Sequence, residues 1–317
     1  MKQLSSFLIL ISFISFAPIK GISQEINYEE TPIVLKTPTG DIKGTLTVPK
    51  SVKKFSIALI IAGSGPTDRN GNNKYAMNES LRLLAHELAN AKIASVRYDK
   101  RGIAESESAM TAEADLRFED YVNDAKAWVD LIKADPRFKE VVIIGHSEGS
   151  LIGMMAAEKA EGYVSIAGAG RPADEVLLEQ LSSIPETMKK SAFAALDTLK
   201  QGKTATITDN RLYSIFRTSV QPYLISWFKY NPTTEIAKLK IPVLIINGTN
   251  DIQVGVDDAQ KLAAADPKAK LVLIENMNHI FRKITGDRQT NFASYNNAAL
   301  PIDQDMVKAV ISFIKKI

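Results

Sequence analysis

The chain contains no cysteine. That excludes a disulfide framework, a thiolate nucleophile, cysteine-held metal and a lipid-modified cysteine. An excess of charge of either sign is also missing, since 39 Lys+Arg stand against 36 Asp+Glu for a formal net charge of +3. No basic run is interleaved with aromatics, so there is no footprint for nucleic acid. Histidine occurs three times and never as His-x-x-x-His, which leaves no zinc- or iron-like spacing. No Gly-x-Gly-x-x-Gly opens a helix; Gly63-Ser64-Gly65 lacks the third glycine and a following helix, so no dinucleotide site is indicated. Neither a cofactor nor a metal is expected. What is present, 45% apolar and 24% charged residues, is the composition of a globular domain and excludes disordered, collagen-like and multi-span membrane classes.

The N-terminus reads as a secretory signal peptide. Lys2 precedes an apolar stretch from Leu4 to Phe16, Pro18 breaks it, and the small residues Gly21 and Ser23 stand before Gln24. The stretch is short for a bilayer span of about 20 residues. Removing residues 1–23 takes away Lys2 and Lys20 and no acid, so the net charge falls from +3 to +1. The expectation is a periplasmic or secreted protein without a stable membrane anchor.

Beyond the leader, Ile33–Lys36 and Asp41–Val48 read as two strands joined at Pro38-Thr39-Gly40. From Phe55 onward the strands are short continuous apolar runs: Phe55–Ala62, Ile93–Tyr98, Val141–Gly145, Tyr163–Ala167, Val243–Asn247 and Leu271–Glu275. Such runs mark parallel strands buried on both faces. Helical periodicity separates them over Asn78–Asn90, Phe118–Ala134 and Val256–Ala265, and a last helix is expected over Asp303–Lys316. This alternation predicts an α/β fold with a mostly parallel, doubly wound sheet. From Arg171 to Lys240 no clear strand appears. A stretch of about 70 residues is too long for a bare loop, so residues 171–240 are expected to form a helical cap inserted after the sixth strand, with 24–170 and 241–317 as the core.

One motif sits in an informative context. Gly145-His146-Ser147-Glu148-Gly149 follows a buried strand and precedes an apolar helix. The pentapeptide alone is weak; the strand-to-helix turn makes it strong, because flanking glycines let the chain pass without a Cβ clash while Ser147 rises to the carboxyl edge of the sheet. The helix N-terminus there offers unpaired N–H groups to an oxyanion.

A serine hydroxyl needs a base. His279 follows a strand, in a loop where catalytic groups of such sheets gather; His146 adjoins Ser147 and is expected to shape the site, and His86 lies within a helix. For the carboxylate, Asp251 ends a strand and precedes the histidine, in the chain order Ser147, Asp251, His279. Asp257 and Asp258 are rivals, although their place suggests a helix start. The backbone N–H of Glu148 supplies one oxyanion donor, and Ser64 or Gly65, in the glycine turn after Phe55–Ala62, the other. Asp99 and Arg101 are expected to pair and fix their loop, and Asp68–Asn73 to form a flexible turn.

With these residues in view, the sequence resembles the α/β-hydrolase family, in particular secreted bacterial esterase-like members. The resemblance rests on Gly-Ser-Gly-Pro-Thr-Asp-Arg at 63–69, Arg-Tyr-Asp-Lys-Arg-Gly at 97–102 and Gly-His-Ser-Glu-Gly at 145–149, and extends over about residues 30–317. Many members carry His-Gly at the oxyanion loop, where this chain has Ala62-Gly63. The resemblance implies a cofactor-free serine hydrolase with Ser147, Asp251 and His279 as its triad. The expected partner is a small-molecule ester with an apolar acyl or aryl group; an amide or small-peptide substrate, or binding without turnover, are the alternatives.

Overall fold

The computed structural model describes residues 27–50 and 54–317; the leader-like residues 1–23 lie outside them. An antiparallel hairpin leads, with β1 (Tyr28–Thr37) and β2 (Gly40–Pro49) closing at the Thr37–Gly40 pair. Six strands follow: β3 (Phe55–Ile61), β4 (Ala94–Tyr98), β5 (Phe138–His146), β6 (Gly162–Ile166), β7 (Val243–Gly248) and β8 (Lys270–Ile274). They assemble in the order β1-β2-β4-β3-β5-β6-β7-β8. Every pairing from β4 to β8 is parallel, and β2 joins β4 antiparallel.

The continuous apolar runs are explained by two covered faces. On β3, Ile57, Leu59 and Ile61 enter one core while Ala58, Ile60 and the following Ala62 enter the other. Chain order gives the helices α1 (Ser80–Asn90), α2 (Phe118–Lys133) and α3 (Glu148–Ala156), then α4 (Ala173–Leu181), α5 (Glu186–Lys200), α6 (Tyr213–Phe216), α7 (Gln221–Trp227) and α8 (Pro232–Ile236). The last three are α9 (Val256–Ala265), α10 (Arg288–Ser294) and α11 (Gln304–Ile314). One face is covered by α1 and α11, through Leu84, Leu88, Met306 and Val310. The other is covered by α2, α3 and α9, through Trp128, Ile152 and Leu262. Between β6 and β7 the described residues form the helices α4 to α8 and no strand, and Leu196, Phe216 and Leu224 pack into this second core. Among the described residues no helix is long and apolar enough to cross a membrane.

Two local expectations are corrected. Asp99 and Arg101 do not pair: Arg101 binds Asp124 at 3.0 and 2.6 Å, while Asp99 accepts the N–H groups of Arg69 at 2.8 Å and Glu105 at 3.2 Å. A long guanidinium reaches a carboxylate on α2 that sequence proximity does not suggest. Asp68–Asn73 is a pinned turn, because Asp68 accepts the N–H groups of Asn70 and Asn72 at 2.8 Å each and Asn72 accepts those of Asn78 and Glu79 at 2.9 Å. Asn and Asp side chains that bond backbone two residues on build order into a polar turn.

A close backbone approach lies between β5 and α3. A Cβ placed on Gly145 would stand 2.2 Å from the Gly149 carbonyl oxygen, and one on Gly149 would stand 2.4 Å from that of Ile61. Both obstacles are backbone, which cannot swing aside. Gly145→Ala and Gly149→Ala are each expected to lower unfolding free energy by about 1–3 kcal/mol or more. Gly255→Ala, where the nearest atom lies 4.0 Å away, is expected to cost less than about 1 kcal/mol. Urea unfolding midpoints check this; equal losses at all three positions would show that crowding does not set the effect.

Candidate active site

Ser147 sits at the crossing just described, with φ 54° and ψ −120°. That conformation is costly for a residue with a side chain, on the order of 1–3 kcal/mol, and persists only where surroundings impose it. Here the Ser147 N–H donates to the Ile166 carbonyl at 3.0 Å and the Ser147 carbonyl accepts from Ser150 N–H at 2.9 Å. The hydroxyl itself has no hydrogen-bond partner among the described residues. Glu148 opens α3, so its N–H lacks a preceding turn to bond. Ser64 and Gly65 N–H groups are likewise unpaired among the described residues.

His279 and Asp251 are brought together. His279 Nδ1 lies 2.7 Å from Asp251 Oδ2, and the histidine side chain is 5% exposed, the aspartate 0%. Asp251 is held after β7 because its Oδ1 accepts from Gln253 and Val254 N–H at 2.8 and 3.0 Å. The His279 loop is shaped by Asn278, whose Oδ1 accepts from Ile280 and Arg282 N–H and whose amide donates to Asn291 and Ser294 at α10. With the Nδ1 proton facing a carboxylate, the neutral ring presents an unprotonated Nε2. No hydrogen bond joins His279 to Ser147; such contacts are commonly long until substrate is in place.

His146 has a different task. Its Nε2 lies 2.9 Å from the His279 carbonyl oxygen; a carbonyl only accepts, so Nε2 carries the proton. Burial, followed by the neighbouring His279, pushes its pKa down to about 3. A neutral His146 thus props the His279 backbone, with Phe281 edge-on at 4.9 Å. His86 is remote in role: it stacks on Tyr28 at 4.7 Å and contacts Glu30 at 3.1 Å.

The rival carboxylates do not approach His279. Asp257 lies in the first turn of α9, whose N-cap is Gly255. Asp258 is more than a helix-start residue: buried, it accepts Gly170 N–H at 3.0 Å and binds Arg171 twice at 2.8 Å, anchoring the entry to α4.

Ser147, Glu148, Ser64 and Gly65 all line one cavity of about 670 Å³. Its apolar wall is shared between the loop before α2, with Ile103, Met110 and Leu116, and the helical segment, with Val176, Leu177 and Trp227. Trp227 is steadied by Phe118, stacked within 2° of parallel at 5.8 Å; Phe228 does not line the cavity. Two carboxylates face it. Glu113 binds Arg217 at 2.8 Å and the Ser219 hydroxyl, and the Arg217 hydrogen bond holds its carboxyl below the ordinary range. Glu148 binds Lys100 Nζ and accepts the Tyr223 hydroxyl at 2.6 Å. The sequence does not reveal Lys100 or Tyr223, because both reach Glu148 across long separations. Among the described residues no group of three or more metal-ligating side chains could hold an ion.

Comparisons with known proteins bear on the fold. Residues 77–214 match the Hydrolase_4 family, serine aminopeptidase, S33. The chain is 25% identical over 284 residues to esterase EstD of Thermotoga maritima, covering 85% of this chain and 63% of that protein; it thus spans less than two thirds of that relative. Est1E of Butyrivibrio proteoclasticus, solved with ferulic acid bound, superposes with a TM-score of 0.61 at 16% identity over 90% of this chain and all of that one. The Pyrococcus furiosus esterase Pf2001 gives 0.55 at 14% identity, over 92% and 94% of the two chains. At such identities the likeness establishes the fold.

The state of His146 has a consequence for stability. Below pH 6.5 an unfolded chain protonates this histidine, while the folded chain refuses the proton until about pH 3. Stability is therefore fully present above pH 6.5 and is expected to erode as pH falls towards 3. Unfolding free energies at pH 7 and pH 5 are expected to differ less in His146→Gln than in the wild type; identical differences would show that His146 titrates normally.

Proposed function

We propose that this α/β-hydrolase is a serine esterase that cleaves a small carboxylic ester through an acyl-enzyme on Ser147. The observation that carries the reading is the buried Asp251–His279 bond of 2.7 Å, propped against the residue that precedes a strained, cavity-lining serine. His279 Nε2 takes the proton of Ser147 as Oγ attacks the acyl carbon. Asp251 fixes the tautomer and stabilises the imidazolium that forms. The negative oxygen is held by Glu148 N–H and by Ser64 or Gly65 N–H. His279 returns its proton to the leaving alcohol, then activates the water that releases the acid.

The cavity supports an apolar acyl or aryl group, since aliphatic side chains and Trp227 form its wall; that Est1E was solved with ferulic acid bound is in keeping with an aryl acid. Amide hydrolysis is the second reading, favoured by the serine aminopeptidase description of the matched family. An aminopeptidase must recognise a free ammonium group, and both carboxylates facing the cavity, Glu113 and Glu148, are already matched by Arg217 and Lys100. That balance supports esters over aminoacyl substrates. The leader-like residues 1–23 support export to the periplasm or medium; a purified mature chain beginning at Gln24 is the expected result of N-terminal sequencing, and an intact Met1 would argue against it.

The test is turnover of p-nitrophenyl esters of increasing acyl length and of aminoacyl anilides. Esters are expected to be hydrolysed and anilides to be poor substrates; the reverse order would favour the amide reading. Ser147→Ala is expected to abolish turnover with the fold intact, and Asp251→Asn to lower kcat on the order of 10²-fold or more. Asp257→Asn is expected to stay within about threefold of wild type. A large loss at Asp257 with little at Asp251 would move the carboxylate role to α9.

A further inference from the structure

Lys100 follows β4 and Glu148 opens α3, yet their side chains are only 1% and 2% exposed and form an ion pair. Withdrawing two charges from water is expensive, and an apolar pair of similar volume often gives a fold at least as stable. The pair therefore calls for a purpose other than stability. Lys100 Nζ has a second acceptor, the Gly63 carbonyl oxygen at 2.7 Å, and it lies 4.8 Å from the centre of the Tyr121 ring. Glu148 has a second donor, the hydroxyl of Tyr223 on α7. Burial and the Glu148 charge push the Tyr223 pKa well up, so it stays protonated and donates. One ammonium group thus joins the loop after β3 to the residue after the nucleophile, and the carboxylate is itself held by the helical segment.

Gly63 is the residue before Ser64. None of the described peptide bonds is cis, so in the Gly63–Ser64 unit the carbonyl and the Ser64 N–H point in opposite directions. Holding the carbonyl aims the N–H. That N–H is unpaired among the described residues, and Ser64 lines the cavity together with Ser147.

We propose that Lys100 is a positioning residue of the oxyanion site: by holding the Gly63 carbonyl it locks the Gly63–Ser64 peptide plane and makes the Ser64 N–H the second oxyanion donor. Glu148 supplies one donor through its backbone and, through its side chain, orients the lysine that sets the other. Turning the peptide plane over would break the Lys100 bond and direct a carbonyl towards the developing negative charge. This inference rests on the esterase reading.

The test uses Lys100→Met and Lys100→Met/Glu148→Gln on the full chain. The single variant leaves a buried carboxylate without its cation and is the one at risk of misfolding; the double variant removes both charges and keeps an acceptor for Tyr223. In whichever variant folds, kcat on a p-nitrophenyl ester is expected to fall on the order of 10²-fold or more, the usual effect of losing one oxyanion donor. KM is expected to stay within about threefold, and affinity for a trifluoromethyl ketone, which mimics the tetrahedral state, to fall in parallel with kcat. A purely structural role would lower the melting temperature and leave these ratios unmoved. A folded variant whose kcat falls less than about tenfold overturns the proposal. If the wild type does not hydrolyse the ester, or Ser147→Ala retains activity, the esterase reading fails instead.

Discussion

Where β5 meets α3, three pieces of backbone run closer than side chains allow. Gly145 faces the carbonyl of Gly149, and Gly149 faces the carbonyls of Ile61 and Ala62 at the end of β3. This crowding holds the strand, the helix and the loop after β3 at a fixed separation. Ser147 is left in a positive-φ conformation that it would not adopt unconstrained. The parallel sheet, its two apolar layers and the loops at its carboxyl edge all converge on this contact. The arrangement places a hydroxyl, a helix N-terminus and the Ser64–Gly65 turn beside one cavity.

The groups around that contact are polar, buried and almost fully satisfied, which makes them costly to rearrange. Asn278 uses its carbonyl and both amide hydrogens to shape the His279 loop. His146 ties that loop to the turn that carries Ser147, and Asp251 accepts from two backbone N–H groups as well as from the histidine. Lys100, Glu148 and Tyr223 extend the same network to the loop after β3 and to α7. Such a network costs stability wherever one member lacks a partner. In return it sets side chains on three loops within hydrogen-bonding precision.

Much of the frame was legible in the sequence. Val141–Gly145 and Val243–Asn247 are unbroken apolar runs because both faces of their strands are covered, and the observed strands contain them. The spacing of Leu81, Leu84 and Leu88 gave α1 for the corresponding reason, with all three buried. Strand ends were less visible: β5 begins at Phe138, where Lys139 and Glu140 have no apolar signal. What the sequence hid were pairings that depend on the finished fold. Arg101 chooses Asp124 over the nearby Asp99, Asp258 binds Arg171 across 87 positions, and Tyr223 reaches Glu148 across 75. No local pattern encodes such contacts, and none singles out Lys100.

The claim at the centre is that Ser147 is the nucleophile. The most direct measurement is to treat the folded protein with a fluorophosphonate, digest it and locate the adduct by mass spectrometry. The account predicts a single adduct on the peptide carrying Ser147, absent from Ser147→Ala and from protein unfolded before treatment. An adduct on another serine such as Ser64, or labelling that survives Ser147→Ala, would contradict it.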